Sequence, residues 1–326
     1  MLESTFIQRN REKWSQFEHV CYATDHYPPS QLADVYDELM ADLAFAQTHY
    51  PDSKVTTYLN DMTLKIHLAV YKKGNTSMKQ SFVRLVRESI PMALYTHRRM
   101  LLYALVLFAF GTFVGVVSQL GDPDFSRLIL GDEYVDMSLQ NISKGTPTDV
   151  YSSSNEATMM AQIPTNNIMV SLRCFVMGIL TLFGTGVMAF YNSVMLGCFC
   201  TFFYQHGVFS EAMQAVWLHG TIEISAIIVA IAAGFVLGTG WIFPGTMSRR
   251  QAFRKNAKQG LYIFLATVPM LLVAGFIESF LTRHVPEWPT GLNVAFIILS
   301  LVLVVLYIIV WPAMVAKARK RNHEED

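Results

Sequence analysis

The segment VWLHGTIEISAIIVAIAAGFVLGTGWIF, residues 216–243, carries one acid, Glu223, and one histidine, His219, in a run otherwise built of apolar, small and hydroxyl residues. A helix needs about 20 such residues to cross ~30 Å of hydrocarbon, so this segment reads as a membrane span. Working outward, 100–119, 168–191, 193–205, 261–282 and 293–315 read the same way. The 193–205 stretch is short and directly follows 168–191, which places the expected turn at Asn192-Ser193. The expected architecture is all-α: a polytopic membrane protein with about six transmembrane helices plus an N-terminal cytoplasmic helical domain. The domain takes residues 1–99, the transmembrane domain 100–316, and a basic then acidic cytoplasmic tail 317–326.

Composition agrees. Hydrophobic residues make up 52% of the chain and charged residues 15%, against roughly a quarter charged in soluble domains. The net charge of +0 hides segregation, because charges crowd into 1–99 and a few later loops. No basic face for nucleic acid follows from such a balance. Arg98 and Arg99 precede the first span. Arg249, Arg250, Arg254, Lys255 and Lys258 separate the fourth from the fifth, and Lys317, Arg319, Lys320 and Arg321 follow the sixth. The 120–167 loop holds only Arg127 and Lys144 as basic residues. Six crossings put all three basic clusters on the cytoplasmic side, with 120–167 as an extracytoplasmic, partly helical loop. The start, MLESTFIQRNREKW, has no apolar core of a signal peptide, so the first span is expected to direct insertion into a bacterial inner membrane.

Residues 1–99 read as helices. Phe6, Trp14, Phe17 and Cys21 recur at helical spacing. Pro28-Pro29-Ser30 restarts the chain, and Leu32, Val35, Tyr36, Leu39, Leu43 and Ala46 form one stripe. Val55, Leu59, Met62, Ile66, Ala69 and Val70 form another, closed by Gly74-Asn75. The helix approaching the membrane, with Lys72, Lys73, Lys79, Arg84 and Arg87 around it, suits either anionic lipid or a solvated basic face.

Soluble catalytic signatures are missing: no glycine-rich phosphate loop, no nucleophile elbow, no paired aspartates at metal spacing. Cys21, Cys174, Cys198 and Cys200 lack zinc-site spacing and read as filler. No cofactor and no metal is expected; His219 and Glu223 offer two ligands without an evident third. Four ionisable residues within spans stand out, because each is costly in lipid: Arg173, His219, Glu223 and Glu278. At 1.5 Å per residue, Arg173 lies ~8 Å, Glu223 ~10 Å and Glu278 ~6 Å inside the outer ends of their spans. His219 and Glu223, four apart, share a helix face. An intramembrane polar cluster of all four is expected, either locking helices together or lining a path. Asn166 and Asn167 stand where they would cap the mouth of the second span. Gly234-x-x-x-Gly238 and Gly184-x-Gly186 permit close helix approach, within one chain or in a homo-oligomer.

The segment WLHGTIEISAIIVAIAAG (217–234) resembles the stage II sporulation protein M family, as do Asn166-Asn167 before the second span and Ile277-Glu278 late in the fifth. Trp14, DLAFAQ (42–47) and YLNDMTLKIHLAVY (58–71) resemble its longer members. Leu218 replaces a frequent proline, and Asn192-Ser193 a frequent Asn-Gly. The resemblance implies a non-enzymatic membrane scaffold in a cell-envelope complex. By resemblance its partners are a MoxR-type AAA ATPase and von Willebrand-type membrane proteins, or cell-wall enzymes. The alternative is an ion or small-solute channel or transporter using the charged cluster.

Overall fold

The computed structural model describes residues 2–24, 27–71, 78–146 and 156–325. All regular structure among them is helical. The chain divides into two compact units, Met1–Ser81 and Phe82–Asp326.

The first unit is built on α1 (Glu3–Tyr22), α2 (Pro29–His49) and α3 (Lys54–Tyr71). Pro28 precedes α2 and Pro29 takes its first position, where a proline loses no hydrogen bond. The stripes converge: Phe6, Trp14, Cys21, Leu32, Leu39, Leu43, Ala46, Val55, Leu59, Met62 and Ile66 form one core. Trp14 meets that core with its ring and donates Nε1–H to Asp42 at 2.8 Å, while Lys13 pairs with the same carboxylate at 2.7 Å. Lys72, Lys73, Gly74 and Asn75 lie outside the described residues.

The boundary differs from the expected residue 99. After α4 (Met78–Arg84), the short helix α5 (Ile90–Thr96) buries Ile90, Ala93 and Leu94 in the core of the second unit. Its apolar face therefore belongs to the membrane half.

That half continues with α6 (Arg98–Gly121), α7 (Phe125–Leu130), α8 (Asp132–Ser143), α9 (Glu156–Val176), α10 (Thr181–Gln205), α11 (Phe209–Ile242), α12 (Arg249–Phe276), α13 (Thr290–Val305) and α14 (Trp311–Glu325). Five helical stretches among the described residues are long and apolar enough to cross a membrane: Arg98–Gly121, Thr165–Gln205, Phe209–Ile242, Arg249–Leu281 and Thr290–Asn322. α11, the segment first quoted, is the hub and packs against α6, α9, α10, α12 and α13. Its most apolar stretch is 78% buried, against 11% for Thr290–Asn322, so α11 is central and α13 peripheral. Exposed Leu102, Val106, Phe113, Leu299 and Leu303 suit contact with lipid tails.

The Thr165–Gln205 stretch does not break at Asn192-Ser193, which sit within α10. It breaks at Met177–Leu180, a single 3-10 turn. Thr185 donates its hydroxyl to the Cys174 carbonyl at 3.0 Å. Eleven residues of straight helix would hold these ~16 Å apart, so α9 and α10 fold back as an antiparallel hairpin. Counted as two limbs, this stretch brings the apolar helices among the described residues to six, with the turn at Met177–Leu180 in place of the expected Asn192-Ser193. Thr181 closes the turn at φ 67°, a region where a β-branched residue is strained. Two glycines of α11 admit the turn. A Cβ on Gly234 would collide with the Thr185 hydroxyl and the Cys174 carbonyl, and one on Gly238 would stand 2.7 Å from the Leu182 nitrogen. The Gly234-x-x-x-Gly238 motif thus serves packing within the chain.

Helices α7 and α8 lie over the opposite end of the hairpin. Val135 of α8 packs with Phe202, Phe203, Ala212 and Met213 around the α10–α11 turn, and Arg127 ties the pair through Asp132 (3.1 Å) and Asp136 (2.8 Å).

Candidate functional site: a buried histidine and two glutamates below a cavity

The hub helix presents His219 and Glu223 one turn apart toward α9 and the end of α12. There the backbone widens from α-helix into a π-turn, Ile277–Leu281, with Thr282 N–H bonding the Ile277 carbonyl. Such turns recur at functional positions. This one carries Glu278, buried at 9% exposure, beside His219, buried at 3%. His219 Nε2 and Glu278 Oε1 stand 3.7 Å apart. One ligand-type atom from each of His219, Glu223 and Glu278 lies within 4.8 Å of the other two.

Further side chains orient the three. Asn167 donates its amide to Glu223 Oε1. The Thr282 hydroxyl stands 3.3 Å from the Ile277 carbonyl, to which it can only donate. It therefore accepts from His219 Nδ1–H at 3.1 Å, and this tautomer turns the acceptor nitrogen Nε2 toward Glu278. The second carboxylate oxygen of Glu278 is buried with no hydrogen-bond partner among the described residues. A cavity of about 680 Å³ reaches the cluster. Asn166, Asn167, Asn192, His219, Glu223 and Glu278 are its polar lining, and Ile129, Leu130 and Tyr134 of the α7–α8 segment wall its far end. Along α11 its lining runs from Val216 to Ile227.

Two expectations change. Arg173 is exposed and makes no ion pair among the described residues. The reason is the hairpin: α9 ends at Val176, so Arg173 occupies its last turn. That is six residues, ~9 Å, beyond Asn167 and the carboxylates. The Asn pair does not cap a helix mouth either, since α9 begins ten residues earlier, at Glu156. Asn167 instead bonds Glu223, and Asn166 is exposed.

Sequence reasoning missed Thr282, whose hydroxyl had no pattern around it, and a clamp between α6 and α10. In that clamp Gln119 donates to Gln205 Oε1 at 2.8 Å and Gln205 donates back to the Gln119 carbonyl at 3.1 Å. An amide placed late in each apolar run was the available signal. Cys21, Cys174 and Cys198 are free and buried.

A bundle of apolar helices around a small buried set of ionisable groups defines a polytopic α-helical integral membrane protein. The family model described as Stage II sporulation protein M matches residues 104–283, over half of the chain, and the chain belongs to that family. The match bears out the resemblance carried by residues 217–234. A second model, described as a domain of unknown function (DUF8413), matches residues 4–72, the stretch that forms the three-helix unit. No curated protein matches the chain, and no solved structure does.

Proposed function

We propose that the protein is a non-enzymatic inner-membrane assembly subunit of a cell-envelope complex. On this reading residues 1–81 form a cytoplasmic docking unit and the α7–α8 segment forms an extracytoplasmic face. The observation that carries it is the division into two units with separate cores, the second holding every membrane-length apolar helix found among the described residues. The docking unit offers Leu64 and Leu68, 51% and 58% exposed and four apart on α3, an apolar stripe suited to a protein partner. By family resemblance that partner is a MoxR-type ATPase working with von Willebrand-type membrane proteins. Both termini are assigned to the cytoplasm because six crossings bring the Arg98, Arg249–Lys258 and Lys317–Arg321 clusters to one side. The test is affinity purification from native membranes in mild detergent, using the full chain and a chain lacking residues 2–81. An ATPase or envelope protein recovered only with the full chain supports the reading. Recovery of the same proteins by both chains, or of none by either, removes it.

A second reading, transport of an ion or small solute, is favoured by one observation: the cavity reaches the buried carboxylates. It requires flux into liposomes that Glu223→Gln abolishes.

A further inference from the structure

We infer that His219, Glu223 and Glu278 form a binding site for one divalent cation of the zinc type, reached through the cavity beneath α7 and α8. The inference is independent of both readings above. The ligand set is one imidazole nitrogen and two carboxylates, the donors that zinc accepts when three protein ligands leave a fourth position open. The geometry is near what that ion requires. With bonds of ~2.0–2.2 Å, tetrahedral ligand atoms stand roughly 3.3–3.6 Å apart. His219 Nε2 and Glu278 Oε1 are 3.7 Å apart, and all three donors fall within 4.8 Å. Small rotamer changes close the difference.

Independent features point the same way. The second oxygen of Glu278, in a residue nine-tenths buried, has no hydrogen-bond partner among the described residues, an expensive arrangement in a low-dielectric interior unless something positive meets it. The supporting shell is that of a ligand histidine. Nδ1–H is held by the Thr282 hydroxyl, which fixes the ring and directs Nε2 inward. Asn167 likewise holds one oxygen of Glu223 and leaves the other for the ion. The π-turn at Ile277–Leu281 brings Glu278 to the two α11 residues. All three donors line the cavity, so its water supplies the fourth ligand and the route of entry.

The experiment uses the full-length protein in detergent, stripped with chelator and titrated with Co2+ alone under visible spectroscopy, then with Zn2+ as competitor. Glu278→Gln and His219→Gln keep side-chain size, and Glu211→Gln, an exposed carboxylate at the start of α11 outside the cavity lining, is the control. The expected result is one Co2+ per wild-type chain with a d–d band of nitrogen and oxygen ligation, displaced by Zn2+. Zn2+ also raises the unfolding temperature in a concentration-dependent way. Both ligand variants weaken binding at least tenfold, and Glu211→Gln leaves it unchanged. Equal uptake by wild type and the two ligand variants overturns the inference. So does absence of saturable uptake in wild type, in which case shared protons hold the cluster together. If the glutamine variants lose their monodisperse peak, the wild-type stoichiometry and its Zn2+-dependent unfolding temperature decide alone.

Discussion

At the scale of single residues, the two asparagines of α9 separate positioning from proximity. Asn167 holds Glu223, while Asn166 is exposed on the same helix. Removing a donor from a buried carboxylate costs about 1.5–3 kcal/mol in water-soluble proteins, and interhelical bonds in membranes run lower, near 1–2 kcal/mol. Asn167→Ala is expected to destabilise by about 1–2 kcal/mol and Asn166→Ala by less than about 0.5 kcal/mol, measured by denaturant unfolding in mixed micelles. Equal effects would remove the assigned role of Asn167. Thr181 offers the opposite sign. Its positive φ costs about 1–3 kcal/mol, of which glycine recovers all but its larger unfolded-state entropy of about 0.5–1 kcal/mol. Thr181→Gly should raise the thermal midpoint, and Thr181→Val should not.

At the scale of elements, the α9–α10 hairpin is the feature the sequence concealed. Apolarity located every lipid-length stretch, and the period of four joined His219 to Glu223. The turn was invisible because MGIL, residues 177–180, is as apolar as what flanks it, contains no proline, and closes on a threonine rather than on turn-forming Asn or Gly. That error shifted Arg173 by ~9 Å and brought it wrongly into the cluster. Depth alone had suggested Glu278, which lies 3.7 Å from His219, but its π-turn had no pattern to announce it. The hairpin also fixes which glycines matter. Gly234→Leu is expected to cost at least about 3 kcal/mol, beyond ordinary overpacking of about 1–3 kcal/mol, because a Cβ there meets the Cys174 carbonyl of the backbone and the fully buried Thr185 side chain. Gly186→Leu, with open space at its Cβ, should be tolerated. The recovery of monodisperse protein and its thermal midpoint distinguish the two.

For the whole molecule, the division at Ser81 predicts independent failure. Trp14 belongs to the first core. Trp14→Ala should cost about 3–5 kcal/mol there and leave the membrane unit untouched. Limited proteolysis of the full chain should then remove residues 1–81 and spare the fragment beyond. Loss of both units together would refute separate cores. Orientation has its own check. Leu128→Cys, placed at a residue 78% exposed, is expected to react with a membrane-impermeant maleimide on intact cells. Met247→Cys, next to the Arg249 cluster, should react only after permeabilisation.

The bend at Met177–Leu180 has a consequence for biogenesis. α9 carries Asn166 and Asn167 within it and Arg173 in its last turn, and polar side chains of this kind oppose translocon insertion, an arginine by up to about 2.5–3.5 kcal/mol at a helix centre and less toward an end. Alone it is a weak passenger. Joined to α10, whose sequence is free of charge from Thr181 to Gln205, it enters as half of a pair. A nascent chain emerging as far as Val176 is therefore still uncommitted. Lateral release waits for α10, and the seat formed by Gly234 and Gly238 arrives later still, so the lower end of this pair is the last part of the bundle to become watertight.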